Sequence, residues 1–170
     1  MPRNPFKIVI TGPPRSGKSA LANLLCGNDT LKASEVYRPT VVTRIIDVTD
    51  EIIGNIRLYD TSGDQKYRNL LPSLCEEPDA LIVMWPSSDS GETSPIQLEA
   101  FSKPHNVSPD RCGLVFFCPL KDHSNLYDAP TIPAIATATF VFSLSKNDTF
   151  RVEIINWIRK LHVYNGFCVI

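Results

Sequence analysis

No apolar run in this sequence approaches the roughly 20 residues that a membrane-spanning helix requires. Neither sign of charge is in excess: 17 basic residues face 18 acidic ones and the net charge is −1. That balance gives no footing for nucleic acid or an anionic membrane as partner. The opening Met1-Pro2-Arg3-Asn4-Pro5 has no apolar stretch of the signal-peptide kind, and Pro2 stands where myristoylation needs glycine. The last residues, Asn165-Gly166-Phe167-Cys168-Val169-Ile170, are one residue short of a prenylation box counted from Cys168. The tail is therefore expected to be unlipidated, with no direct membrane anchor. The five cysteines (Cys26, Cys75, Cys112, Cys118, Cys168) match no zinc spacing and mostly sit in apolar runs. They are expected to be reduced thiols of a cytosolic compartment. His105, His123 and His162 are scattered, are expected at the surface, and suggest no metal site. Repeats and low-complexity tracts are absent too, and 43% hydrophobic with 21% charged residues suits a single globular domain over 1–170.

What is there is an alternation of short apolar runs and helical periods. Phe6 to Thr11 is a continuous apolar run ending at Gly12, as in a buried parallel strand. Ala20, Leu21, Leu24 and Leu25 then recur at helical spacing, and residues 28 to 40 have no period. Thr43 to Val48 and Asn55 to Asp60 flank a turn and read as an antiparallel hairpin. Tyr67, Leu70, Leu71 and Leu74 predict a second helix disturbed at Pro72. Ala80 to Trp85, Gly113 to Cys118 and Thr139 to Leu144 read as three further strands. A short helix is expected over 95–103 and a longer one over 148–162, whereas 119–137, with its three prolines, argues against a full helix. Strands alternating with helices imply a doubly wound α/β sheet.

The chemistry is concentrated in Gly12-Pro13-Pro14-Arg15-Ser16-Gly17-Lys18-Ser19, which meets every fixed position of the phosphate-binding G-x-x-x-x-G-K-[ST] loop between a strand and a helix. The backbone of Gly12 and Pro14–Ser19, with an N–H at each of these positions but Pro14, and the helix N-terminus offer partial positive charge to a polyphosphate. Lys18 would reach the β- and γ-phosphates and the Ser19 hydroxyl would ligate Mg²⁺. Asp60-Thr61-Ser62-Gly63 follows a strand. Asp60 is placed to hold Mg²⁺ through water, and Gly63 to bring its amide to the γ-phosphate. Asp and Gly are also common turn residues after a strand, so this piece draws its meaning from the loop before it. Thr40, in the aperiodic Tyr37-Arg38-Pro39-Thr40, could add a hydroxyl to Mg²⁺ and an amide to the γ-phosphate.

Taken in order, these three pieces resemble the Ras and Rab small GTPases. Gly12 to Leu25, Tyr37-Arg-Pro-Thr40, Asp60-x-x-Gly-Asp64 with Tyr67, and Phe142-Ser-Leu-Ser145 resemble more narrowly the Rab-like subunits of intraflagellar transport complex B. The resemblance implies a P-loop NTPase, G-domain fold: a mostly parallel six-stranded sheet flanked by helices, the fourth expected to be reduced. It implies two switch loops read by partners, about Ser34 to Thr43 and Thr61 to Asn69, with Tyr37, Thr40 and Asp64 as switch residues. It also implies GTP or GDP with Mg²⁺ as ligands, and docking on the coiled-coil intraflagellar transport proteins 74 and 81. The implied location is the cytoplasm, the cilium or flagellum and the basal body region, with the isolated chain monomeric.

Two departures from that family bear on activity. The residue after Gly63, where the family has a water-orienting glutamine, is Asp64, and Gln65 comes one position late. Hydrolysis is then expected to be no faster than about 10⁻⁴ to 10⁻³ per second, unless Gln65 swings in or a partner completes the site. In place of the guanine-reading Asn-Lys-x-Asp stands Pro119-Leu120-Lys121-Asp122, so only Asp122 is retained, with Ser143 and Leu144 as further base-binding candidates. A pocket lacking those polar contacts loses discrimination, and ATP enters as an alternative ligand. Two other readings stay open: a small P-loop nucleotide kinase, which the lack of an arginine-rich lid opposes, and a nucleotide-free pseudo-GTPase, which the intact Gly17-Lys18-Ser19 opposes.

Overall fold

The computed structural model describes residues 4–27, 37–86, 95–118, 136, 138–143 and 147–164. Six strands form one sheet: β1 (Phe6–Thr11), β2 (Thr43–Asp50), β3 (Gly54–Thr61), β4 (Ala80–Pro86), β5 (Cys112–Cys118) and β6 (Ala138–Ser143). Their order is β2-β3-β1-β4-β5-β6. Only the β2–β3 hairpin pair is antiparallel, and the remaining pairs are parallel. Four α-helices lie among the described residues: α1 (Lys18–Leu25), α2 (Leu71–Leu74), α3 (Pro95–Ser102) and α4 (Asn147–Tyr164).

The apolar runs of β1 and β4 are continuous because both sheet faces are covered. Ile8, Ile10, Ile82 and Met84 go to one core with Leu21 and Leu24 of α1 and Ile154 and Ile158 of α4. Val9, Leu81 and Val83 face the other way, joined by Leu114, Phe116 and Cys75, with Phe101 of α3 against them. This period-two division is what the strand pleat dictates. Full burial of each large aliphatic side chain stabilises the sheet by about 1.5–3 kcal/mol. Phe142 of β6 stacks on Phe150 at 4.7 Å, fixing α4 against the sheet edge.

The second helix is shorter than its periodicity predicts. A 3₁₀ turn over Gln65–Tyr67 precedes the four residues of α2, and Pro72 lies in the first turn of α2. There its missing N–H has no intrahelical partner to lose, so the proline starts the helix instead of disturbing it. Two histidines expected at the surface are buried: His105 closes the turn after α3, and His162 of α4 packs edge-on against Phe6 at 5.5 Å. The apolar body of an imidazole fits such sites when its ring is neutral or well partnered. His123, the expected reduced fourth helix, Asp122 and Leu144 lie outside the described residues.

β1 sends the chain towards β3 on one side, while β4, its other neighbour, sends it towards β5. The carboxyl ends of β1 and β4 therefore border a topological switch point, where open α/β sheets bind ligands. Everything described next stands at that end.

Candidate nucleotide site

The loop leaving β1 is cramped. Gly12 has φ +143°, and a Cβ there would lie 2.1 Å from the Met84 carbonyl oxygen, so no other residue fits. Arg15 takes a left-handed φ of 60°, an uncommon state for a non-glycine residue, and its guanidinium carbon lies 5.5 Å from the Tyr37 ring centroid. Pro14 and Arg15 are exposed, Ser16 is buried, and Gly17 caps the N-terminus of α1. With no acidic residue in the first turn of α1, its free amides keep their positive end for an anion.

Lys18 is 6% exposed, and its Nζ donates to the Pro13 carbonyl at 2.6 Å and to Ser16 Oγ at 3.3 Å. The ammonium is thus bent back over the loop it belongs to. Burial pulls its pKa from 10.5 to about 8, against the opposing pull of Asp60. An ammonium held this way gains most from an anion entering the loop.

Ser19 Oγ and Thr40 Oγ1 are 3.0 Å apart, so the loop at Thr40 lies against the first turn of α1. Asp60, at the end of β3, is fully buried. Its Oδ2 accepts from Arg44 Nε at 3.1 Å, whereas Oδ1 has no hydrogen-bond partner. Burial raises the carboxyl pKa, and Ser19, Arg44 and Lys18 act against that rise. A buried carboxylate oxygen without a donor, near two hydroxyls, fits a hard divalent cation that takes oxygen ligands and keeps several waters. Among the described residues no group of three or more His, Cys, Asp or Glu gathers.

The second loop lies against the first. A Cβ on Gly63 would come within 2.4 Å of Pro14 N and 2.5 Å of the Pro13 carbonyl carbon, so the two backbones touch there. Asp64 turns outward: its carboxylate caps the 3₁₀ turn by accepting from Lys66 N at 3.0 Å and pairs with Lys66 Nζ at 3.0 Å. The Lys66 amide and ammonium hold its pKa below the usual carboxylate range. Gln65 is exposed on the same turn. Ser143 ends β6 opposite Cys118 of β5, at the same edge of the sheet.

One residue of the site was not legible as such. Arg44 of β2 binds Asp60 Oδ2, and its Nη2 also donates to Asn23 Oδ1 at 2.9 Å and to the Ser19 carbonyl at 3.5 Å. The signal was in the hairpin register: a turn at residues 51–53 pairs Arg44 directly with Asp60.

These features define a nucleotide-binding GTPase domain, and the family model described as 50S ribosome-binding GTPase matches residues 7–107; the chain belongs to this GTPase family. It is similar to intraflagellar transport protein 22 of Chlamydomonas reinhardtii, 25% identical over 118 residues, covering 66% of this chain and 61% of that protein. It is also similar to intraflagellar transport associated protein 2 of Caenorhabditis elegans, 30% identical over 114 residues, covering 46% of this chain and 45% of that protein. The chain thus spans less than two thirds of the length of either relative. Among solved structures, the GTP-bound IFT22/74/81 complex of T. brucei aligns with a TM-score of 0.75 at 19% identity, over 96% of this chain and 98% of that one. The Arl6 BBS3 small GTPase of Trypanosoma brucei with bound GppNp aligns with a TM-score of 0.64 at 17% identity, over 95% and 99%. These likenesses fix the small-GTPase fold expected from the order of motifs.

Proposed function

We propose that the chain is a guanine-nucleotide switch subunit of intraflagellar transport complex B, working in cilium or flagellum assembly by presenting nucleotide-ordered loops to a protein partner. The observation that carries this reading is the buried Lys18 ammonium over the phosphate loop, beside the Ser19–Thr40 hydroxyl pair and the unpartnered Asp60 Oδ1. Amides of Gly12 and of Arg15 to Ser19, with the Lys18 ammonium, hold the polyphosphate. Ser19 and Thr40 hold Mg²⁺ directly and Asp60 through water, and Gly63 offers its amide to the γ-phosphate. The bound cation would neutralise charge on the β- and γ-oxygens. Base recognition falls to Asp122, Ser143 and Leu144, with discrimination against ATP weaker than in a complete Asn-Lys-x-Asp pocket.

Hydrolysis is slow in this reading. Asp64 is engaged with Lys66 and Gln65 is exposed, so neither orients an attacking water without rearrangement. The partner reading draws on the names of the relatives and on side chains beside the site. Tyr37, Val41 and Ile45 around the first loop, and Leu70 and Leu74 after the second, are largely exposed apolar groups. Coiled-coil proteins equivalent to intraflagellar transport proteins 74 and 81 are the partners in this reading, and the cytoplasm, cilium and basal body region are its location.

The test is the nucleotide content of the purified protein, released by denaturation and separated by chromatography. Close to one equivalent of GDP or GTP is expected, with little in a Lys18→Ala preparation. No nucleotide, and none taken up on addition of millimolar GTP with Mg²⁺, would leave a nucleotide-free structural subunit instead.

A further inference from the structure

Besides the Lys18 ammonium, the fold supplies Asp60 with a second cation. Arg44 reaches across from β2, a strand that begins three residues after Thr40, and binds the Asp60 oxygen that the orphaned Oδ1 leaves over. The same guanidinium is anchored to α1 through Asn23 Oδ1 and the Ser19 carbonyl. A fully buried carboxylate with no cation is strongly unfavourable, and a planar guanidinium fork is the side chain best suited to relieve it. The Arg44 side chain remains 44% exposed, so water can screen and rehydrate it when other charge enters.

We propose that Arg44 is a resident counter-cation of the metal site, a positioning residue that neutralises Asp60 whenever Mg²⁺ is absent and thereby makes nucleotide retention only shallowly dependent on Mg²⁺. This rests on the nucleotide reading above. In a site whose acidic residue has only the metal as counter-charge, removing Mg²⁺ leaves a bare carboxylate beside the phosphates and expels the nucleotide. Here Arg44 keeps Oδ2 compensated in both states, while Oδ1 stays unpartnered and available to the metal or its water. Its positive charge also competes with the divalent cation, which lowers what Mg²⁺ can add. Arg44 therefore acts on the difference between the metal-bound and metal-free complexes, not on the strength of either alone.

The experiment compares release of a fluorescent GDP analogue in excess Mg²⁺ and in EDTA for the intact chain, Arg44→Gln and Arg44→Lys. The EDTA-to-Mg²⁺ rate ratio is expected to rise about tenfold in Arg44→Gln, within the usual range for coupled sites, and to be partly restored in Arg44→Lys. A ratio unchanged in Arg44→Gln would overturn the proposal, as would equal acceleration in both media, the signature of a merely structural clamp. Thermal melting without nucleotide provides a second readout. Arg44→Gln should be stabilised by millimolar Mg²⁺ alone while the intact chain is not, and identical behaviour of the two would also overturn the proposal. If the intact chain retains no GDP analogue, the nucleotide reading fails, and the melting comparison still decides the role of Arg44.

Discussion

Thr40 Oγ1 sits 3.0 Å from Ser19 Oγ, so the loop before β2 meets the first turn of α1 hydroxyl to hydroxyl. Both oxygens belong to the set that would hold Mg²⁺; Ser19 stands in the first turn of α1 and Thr40 on the loop before β2. Thr40→Ala should therefore weaken a non-hydrolysable GTP analogue about tenfold while leaving GDP within about threefold, on the scale of a lost hydrogen bond to charge. Competition titrations measure both, and equal losses would mean that the loop does not sense the γ-phosphate.

Lys18 imposes a pH dependence. Burial brings its pKa down to about 8, and the proposed phosphate binding needs the charged form. Nucleotide affinity should be flat below that value and fall by about tenfold per pH unit above it. Stability of the ligand-free protein runs the other way. Between about 8 and the ordinary 10.5 the unfolded chain binds the extra proton, so stability rises with pH across that window. Titrations at about pH 7 and pH 9 check the first statement, and denaturant midpoints across the same range check the second. Affinity that does not change with pH would contradict the buried-ammonium account.

His105 supplies the acid-side counterpart. Burial beside the loop that follows β3 pushes its pKa from 6.5 down to about 4, and its Nδ1 has no hydrogen-bond partner. The unfolded state binds the extra proton between those values, so stability is lost as pH falls from 6.5 towards 4, by about 3 kcal/mol in full. His105→Leu should flatten that stretch of the urea-midpoint curve. A slope equal to that of the unmodified chain would show that His105 is charged or rehydrated in the fold.

Gly63→Ala tests the contact between the two loops. The added methyl would meet the Pro13–Pro14 backbone, which cannot yield as a side-chain tip does. A loss of about 1–3 kcal/mol in stability is expected, as for overpacking, together with a weaker preference for triphosphate over diphosphate. A fully stable variant with an unchanged preference would mean that the second loop already stands away from the first.

Most of the sheet was legible because buried parallel strands announce themselves as uninterrupted apolar runs, as in Ile8 to Ile10 and Leu81 to Met84. The strand–loop–helix passage at Gly12 to Ser19 was legible because its glycines and Lys18 have fixed spacing, and the structure brings Thr40 against Ser19. What stayed hidden depends on tertiary geometry. The short α2 keeps only one turn of the period that Tyr67 to Leu74 suggests, and the burial of His105 and His162 depends on neighbours far along the chain. Arg44 looks like an ordinary strand charge until the hairpin register sets it opposite Asp60. Asp64, read from sequence as standing where the family has a water-orienting glutamine, caps its own turn through Lys66, a local competition that composition does not reveal.

The most direct measurement is a calorimetric titration of GTP, GDP and ATP with Mg²⁺ into the intact chain and into Lys18→Ala. Micromolar binding of the guanine nucleotides is predicted, with ATP within about two orders of magnitude for a base pocket short of polar contacts, and all of it lost in Lys18→Ala. Binding that survives Lys18→Ala unchanged would contradict the claim that this ammonium and its loop form the phosphate site.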